Sequence, residues 1–219
     1  MNKSLEWLMI WQKKYAPGTT TDAHKLDGYD HLSTDQFERL AAVFIDMLRL
    51  SGNEEILEVG CGSGAFLEQI KGYKTICGVD YSENAVSLIR KLLKGDFFVA
   101  EANCLPFENS RFDIVMSLSA FIYFDSLSYA KKTLEEMIRV LKPKGKVFIG
   151  DINDLAKKDF ALQLRKRLVP TRPEQLYYDK QFFCDIASDH QMSISFFDED
   201  VDKLNFFEPS RYRFSVVMS

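Results

Sequence analysis

Apolar residues fall into short runs separated by longer stretches in which they recur on one side of a helix. Ile56, Leu57 and Val59 form a run that ends in glycines, and residues 75–79, 97–100, 114–117 and 147–149 repeat the pattern. Runs of this length bounded by turn residues predict buried strands. Between them, Ala85, Ile89, Leu92 and Leu93 share one helix face, as do Leu127, Ala130, Leu134, Met137 and Leu141. Lys142-Pro143-Lys144-Gly145 then reads as a helix stop with glycine at the turn. Upstream, Ser33-Thr34-Asp35-Gln36 has the spacing of a capping box before a helix carrying Phe37, Leu40, Ala41, Phe44 and Leu48.

Strands that alternate with helices predict a parallel sheet, because each parallel connection needs a crossover. Beyond residue 154 the pattern changes to a basic helix over 155–168, a loop at 170–173 and a helix over 180–188. Two strand-like runs follow, at 193–197 and 212–217, and with no long helix between them they predict an antiparallel edge. The domain reading is an N-terminal helical extension or lid, residues 1–50, followed by one α/β domain, residues 51–219.

Composition narrows the functional classes. Of 219 residues, 46% are hydrophobic and 27% charged, which is ordinary for one folded core. A formal charge of −4, from 28 basic and 32 acidic residues, argues against a nucleic-acid partner held by general phosphate attraction. Four cysteines, at 61, 77, 104 and 184, contain no C-x-x-C pair, which suggests reduced thiols and a cytoplasmic setting. The stretch 114–124 lacks charge and proline but has only 11 residues, short of the roughly 20 that span a bilayer. No membrane association is expected.

The chemistry concentrates in Ile56-Leu57-Glu58-Val59-Gly60-Cys61-Gly62-Ser63-Gly64-Ala65, a strand running through three glycines into a helix. Such a loop lets backbone approach a ligand at the carboxyl end of a parallel strand. Asp80, ending the next strand, is placed to accept hydrogen bonds from a ribose diol. Gly60, Gly62 and Ala65 also satisfy the looser dinucleotide pattern, so these residues alone leave NAD and an adenosyl cofactor both open.

Four segments in order then resemble the class I S-adenosylmethionine (SAM) dependent methyltransferases of the small-molecule type. They are Leu57-Glu58-Val59-Gly60-Cys61-Gly62-Ser63-Gly64; Asp80; Glu101-Ala102-Asn103-Cys104-Leu105-Pro106-Phe107 with Phe112-Asp113-Ile114-Val115; and Leu141-Lys142-Pro143-Lys144-Gly145. The resemblance covers roughly residues 50–151. It implies a Rossmann-like, seven-stranded, mostly parallel sheet with one reversed C-terminal strand and helices on both faces. It also implies SAM as cofactor: Glu58 at the methionine amino end, Gly60, Gly62 and Gly64 beneath the methionine and ribose, and Asp80 on the ribose hydroxyls. Tyr81 would flank the adenine, Glu101 and Ala102 would meet its edge, and Ser117 and Ser119 would border the methionine. Many relatives carry a His-His pair after the fourth strand where this chain has Ile122 and Tyr123.

For the acceptor side, the residues singled out are Tyr123, Asp151 at the end of the fifth strand, Tyr178 beside Tyr177, and His24. The last lies in a polar N-terminal segment with Lys25, Tyr29 and His31 that can fold over the site. No metal is expected, since Ser117, Leu118 and Ser119 stand where metal-dependent relatives place carboxylates. Lys157, Lys158, Arg165, Lys166, Arg167 and Arg172 form a basic segment that would suit an anionic or sugar-linked acceptor. The activity so implied is methyl transfer to O or N of a small molecule. An NAD-dependent oxidoreductase and a SAM-binding regulator without turnover remain as alternatives.

Overall fold

A computed structural model describes residues 3–16, 18, 20, 22–168, 173–198 and 204–219. Its sheet contains β1 (Glu55–Val59), β2 (Thr75–Asp80), β3 (Asp96–Val99), β4 (Phe112–Leu118), β5 (Leu141–Asn153), β6 (Ile194–Asp198) and β7 (Arg213–Met218). The order is β3-β2-β1-β4-β5-β7-β6. Strands β1 to β5 pair in parallel, and β7 runs antiparallel to both β5 and β6. Six strands therefore share one direction and β7 alone reverses: the antiparallel edge that the pattern predicts and the single reversed strand that the resemblance implies.

Alternation along the strands sends side chains to two packed faces. Leu57, Val59, Val115, Val147 and Val216 face α6 (Leu127–Val140) and α8 (Lys180–Asp189) through Leu134, Met137, Phe183 and Ile186. Ile56, Ile76, Ile114 and Phe148 face α3 (Thr34–Leu48), α4 (Ala65–Gln69) and α5 (Glu83–Leu92) through Phe44, Leu48, Phe66 and Ile89. The chain is completed by α1 (Lys3–Lys14), α2 (Ala23–Leu26) and α7 (Lys158–Leu168).

The capping box at α3 forms as read: Ser33 Oγ accepts from the Gln36 amide, and Gln36 Oε1 accepts from the Ser33 amide. This fixes the start of a helix whose apolar face, Phe37, Leu40, Ala41, Phe44 and Leu48, is buried. Truncating a fully buried Phe44 would cost about 3–5 kcal/mol. The extension is thus of two kinds, since α3 belongs to the sheet's own core while α1 and α2 lie elsewhere.

The helix stop differs from the reading. Helix α6 ends at Val140, and Leu141 already belongs to β5. The left-handed residue is Lys144, with φ 67°, and not Gly145. Gly145 is needed for space, because a Cβ there would lie 2.8 Å from the Asp113 carbonyl oxygen. Pro170 and Arg172 lie outside the described residues.

Candidate active site

A cavity of about 220 Å³ opens at the carboxyl ends of β1, β2 and β4, where an open parallel sheet places its ligands. The loop after β1 forms its floor. Gly60, Gly62 and Gly64 all have positive φ, at 79°, 53° and 84°. A Cβ on Gly62 would lie 2.5 Å from Asp27 Oδ1 and 2.6 Å from Tyr15 Oη, so only glycine fits beneath the N-terminal segment. Gly64 plays another part: its space is taken by Ile89 and Leu93, which lets α5 pack against the loop. It is not among the cavity's lining residues.

Carboxylates gather there without a cation. Asp27, Glu58, Asp80, Glu101 and Asp125 line the cavity, and no Lys, Arg or His does among the described residues. Glu58 is 3% exposed and its Oε2 has no hydrogen-bond partner among the described residues. Burial, then the neighbouring Asp27 and Asp80, push its carboxyl well above the ordinary range. Burial likewise raises Asp80 to about 6, against the opposing hydrogen bonds from the Ser82 and Gly62 amides. No three His, Cys, Asp or Glu side chains among the described residues are placed to hold a metal ion.

The fit to a sulfonium cofactor follows from this imbalance. An orphaned buried carboxylate oxygen beside two further acids matches a ligand that brings an ammonium and a sulfonium. A dinucleotide fits less well. The amides of Ser63 and Ala65, where a pyrophosphate would sit, already donate to Asp27 at 2.7 and 3.1 Å. Tyr15 Oη donates to the same Asp27 carboxylate at 2.8 Å. Asp27 therefore ties the N-terminal segment to the glycine loop.

Aromatic rings roof the cavity. Trp7, Trp11 and Tyr15 occupy one face of α1 and its end, and all three are buried and line it. Tyr123 meets Trp7 edge-on at 4.6 Å and Trp11 at 5.1 Å. Tyr81 and Tyr129 complete the wall, and Tyr129 Oη donates to Glu101 Oε2 at 2.6 Å. The longer Glu101 thus has a fixed partner in place of a free reach.

At the back, Tyr29 and Ser119 line the cavity. Their hydroxyls lie 2.6 Å apart, and Ser119 Oγ donates to Asp151 Oδ2. Arg213 Nη1 donates to the same oxygen at 2.5 Å and its Nε to Asn153 Oδ1 at 3.0 Å. Ser119, just past β4, and Asp151, where the pairing of β5 with β7 shifts register, both adopt left-handed backbone, with φ 57° and 62°.

Of the residues singled out from sequence, Glu58, Gly60, Gly62, Asp80, Tyr81, Glu101, Ala102, Ser119 and Tyr123 come together at the cavity. Ser117 does not. Its buried Oγ donates to the Val59 carbonyl at 2.8 Å and pins β4 to the end of β1. His24 is buried, bonded through Nε2 to the Leu32 carbonyl and stacked on Phe37. Tyr178 is fully buried and donates to the Phe121 carbonyl at 2.7 Å, and Tyr177 packs with Ala161 and Tyr212. Asp151 lies behind Ser119 and not on the cavity wall. Of the basic segment, Lys158 pairs with Glu174 and Arg165 donates to the Pro173 carbonyl, and neither lines the cavity; the Arg167 side chain and Arg172 lie outside the described residues. Sequence reasoning missed Trp7, Trp11, Tyr15 and Asp27. Spacing of four between the three aromatics was the available signal for a helix face.

Residues 57–149 match the family model of a methyltransferase domain. Among curated relatives, methyltransferase GfsG of Streptomyces halstedii is 29% identical over 125 residues, or 52% of this chain and 44% of its own length. The chain spans about half the length of the first curated relatives it matches. Among solved structures, a chain from the complex of the Haloferax volcanii Trm112 methyltransferase activator with a putative methyltransferase superposes with a TM-score of 0.68. Its identity is 20%, over 90% of this chain and 96% of that one. Magnesium protoporphyrin IX methyltransferase of Synechocystis PCC 6803, solved with SAM bound, gives 0.60 at 14% identity over 100% and 96%.

Proposed function

We propose, from the premise that this chain carries a class I SAM-dependent methyltransferase domain, that it transfers the methyl group of SAM to an O or N atom of a small molecule. One observation carries the reading: a buried Glu58 carboxylate oxygen beside Asp80, above a glycine loop in an aromatic cavity, with neither a partner nor a lining cation among the described residues. Glu58 would attract the cofactor's ammonium, Asp80 would hold the ribose hydroxyls, and Tyr81, Glu101 and Ala102 would border the adenine. The cofactor supplies a methyl group already activated on positive sulfur. What remains for the chain is alignment and exclusion of water, and alignment alone can be worth about 7–11 kcal/mol.

The α1 roof serves both needs. Trp7, Trp11 and Tyr15 cover the cavity, so we read α1 and α2, rather than the whole of residues 1–50, as the lid. The lining also bears on the acceptor. Among the described residues the lining carries Asp27, Glu58, Asp80 and Glu101 and no cationic side chain, which favours an uncharged or cationic acceptor over an anionic one and over a nucleic acid. No helix among the described residues is long and apolar enough to cross a membrane.

Isothermal titration with SAM, S-adenosylhomocysteine and NAD tests the cofactor. Binding of the first two without NAD is the expected result, and NAD binding alone would reverse the assignment. Release of labelled methyl product from a screen of cell metabolites then separates an enzyme from a SAM-binding regulator.

A further inference from the structure

We infer that Tyr29 receives the acceptor's proton, backed by Ser119, Asp151 and Arg213, so that the methyl acceptor is a hydroxyl compound, either an alcohol or a phenol. The inference rests on the methyltransferase reading and goes beyond it.

Direction follows from the donors. Arg213 donates to Asp151 in an ion pair, and the carboxylate of such a pair accepts and does not donate. Ser119 has one hydroxyl proton, and it is committed to Asp151. The bond between Tyr29 and Ser119 must therefore run from Tyr29, whose own proton points inward. The lone pairs of Tyr29 Oη remain as acceptors on a residue that lines the cavity. A row of hydroxyls all donating toward a carboxylate offers its outermost oxygen as a proton acceptor. Two further features mark the row as more than packing. Asp151 is 1% exposed and its Oδ1 has no partner among the described residues, which leaves a second oxygen open on the final acceptor. Both Ser119 and Asp151 adopt left-handed backbone, a strained conformation of the kind that clusters at working sites.

The step balances. As the acceptor oxygen bonds the methyl carbon, the carbon–sulfur bond breaks and its electron pair stays on sulfur. The acceptor's O–H proton moves to Tyr29 Oη, the Tyr29 proton to Ser119 Oγ and the Ser119 proton to Asp151. Tyr29 need never be a phenolate, which agrees with the upward push of burial and of Asp151 on its ionisation. The charged or titratable groups facing the row are Arg213, Tyr123, Tyr212 and His31. Burial and Arg213 lower His31.

The test compares wild type with Tyr29→Phe and Asp151→Asn on two readouts. In the first, 4-nitrophenol is titrated spectroscopically on cofactor-free protein. Wild type should bind the protonated phenol and raise its apparent pKa, and both variants should return it toward the solution value. In the second, labelled-methyl transfer is measured over phenols graded in acidity. The Tyr29→Phe loss should reach about 10²–10⁴-fold for the least acidic phenol and vanish for those already ionised. A loss equal across the series, or none, would overturn the relay. Wild type that binds SAM yet methylates no phenol or alkanol would overturn the hydroxyl class. Failure to bind SAM would instead remove the methyltransferase reading itself.

Discussion

The two ends of β1 carry acids in opposite states. At its start, Glu55 pairs with Lys142 at 2.5 Å and Lys74 at 3.3 Å, and Lys142 also reaches Asp113 at 2.9 Å. The hydrogen bonds from Lys142 and Lys74 hold Glu55 below the ordinary carboxylate range. Beside it, amides and the Ser51 hydroxyl outweigh slight burial and hold Glu54 at about 2. Three residues after Glu55, Glu58 is buried beside Asp27 and Asp80, with no cation lining its cavity among the described residues, and is pushed up. Both ends belong to the same strand, so secondary structure cannot be the cause. One end completes its charges within the fold, and the other, among the described residues, does not. Burying an unpaired charge is destabilising, and such a cost is retained where a site needs it.

The largest effect should come from Asp80→Ala. Loss of a charged acceptor weakens SAM binding by about 1.5–3 kcal/mol, and the orphaned Gly62 and Ser82 amides lower fold stability by about 1–3 kcal/mol each. Calorimetry with SAM and thermal unfolding read the two separately. Next, Glu58→Gln should move the two quantities apart. SAM affinity falls about tenfold or more, while the cofactor-free protein gains about 1 kcal/mol or more, or roughly 2–4 °C in Tm for each. A Tm that drops would mean Glu58 already has a partner, and the contrast would fail.

The pH dependence is a third probe. Asp80 titrates near 6 in the folded protein against 3.8 ordinarily. The fold therefore binds more protons than the unfolded chain between those values, and this acid's contribution to stability falls as pH rises through that window. Cofactor affinity runs the other way, declining toward tenfold per unit as pH drops below about 6. Titration calorimetry from pH 7.5 to 5 checks both signs. The smallest effect should be Lys142→Met at the other end, with no change in SAM affinity and at most about 1 kcal/mol in stability.

Where an element's apolar pattern faces the common core, the sequence discloses it. Strands β1, β2 and β4 read as buried runs because both faces are covered, and Ser33 with Gln36 announces α3 locally. Asp80 is legible as an acid that ends a strand, whereas Glu58 is singled out only through the family resemblance. Other residues depended on contacts that no local pattern encodes. Asp27 lies in a polar stretch and gains its role only where it meets the amides of Ser63 and Ala65. His24 and Tyr178 carry reactive groups, yet backbone carbonyls at Leu32 and Phe121 satisfy them. The basic run around Lys158 draws on Glu174 instead of a ligand. A side chain's chemistry is visible in sequence, but its partner is a property of tertiary packing.

Trp7 and Trp11 are the only two tryptophans in the chain. Since both lie in the cavity's ceiling, the intrinsic indole emission of the whole molecule originates from that one place. Entry of any guest, or the lifting of the first helix, should therefore register as a change in native fluorescence without a label. The rate of that change in a rapid-mixing experiment times the opening of the roof.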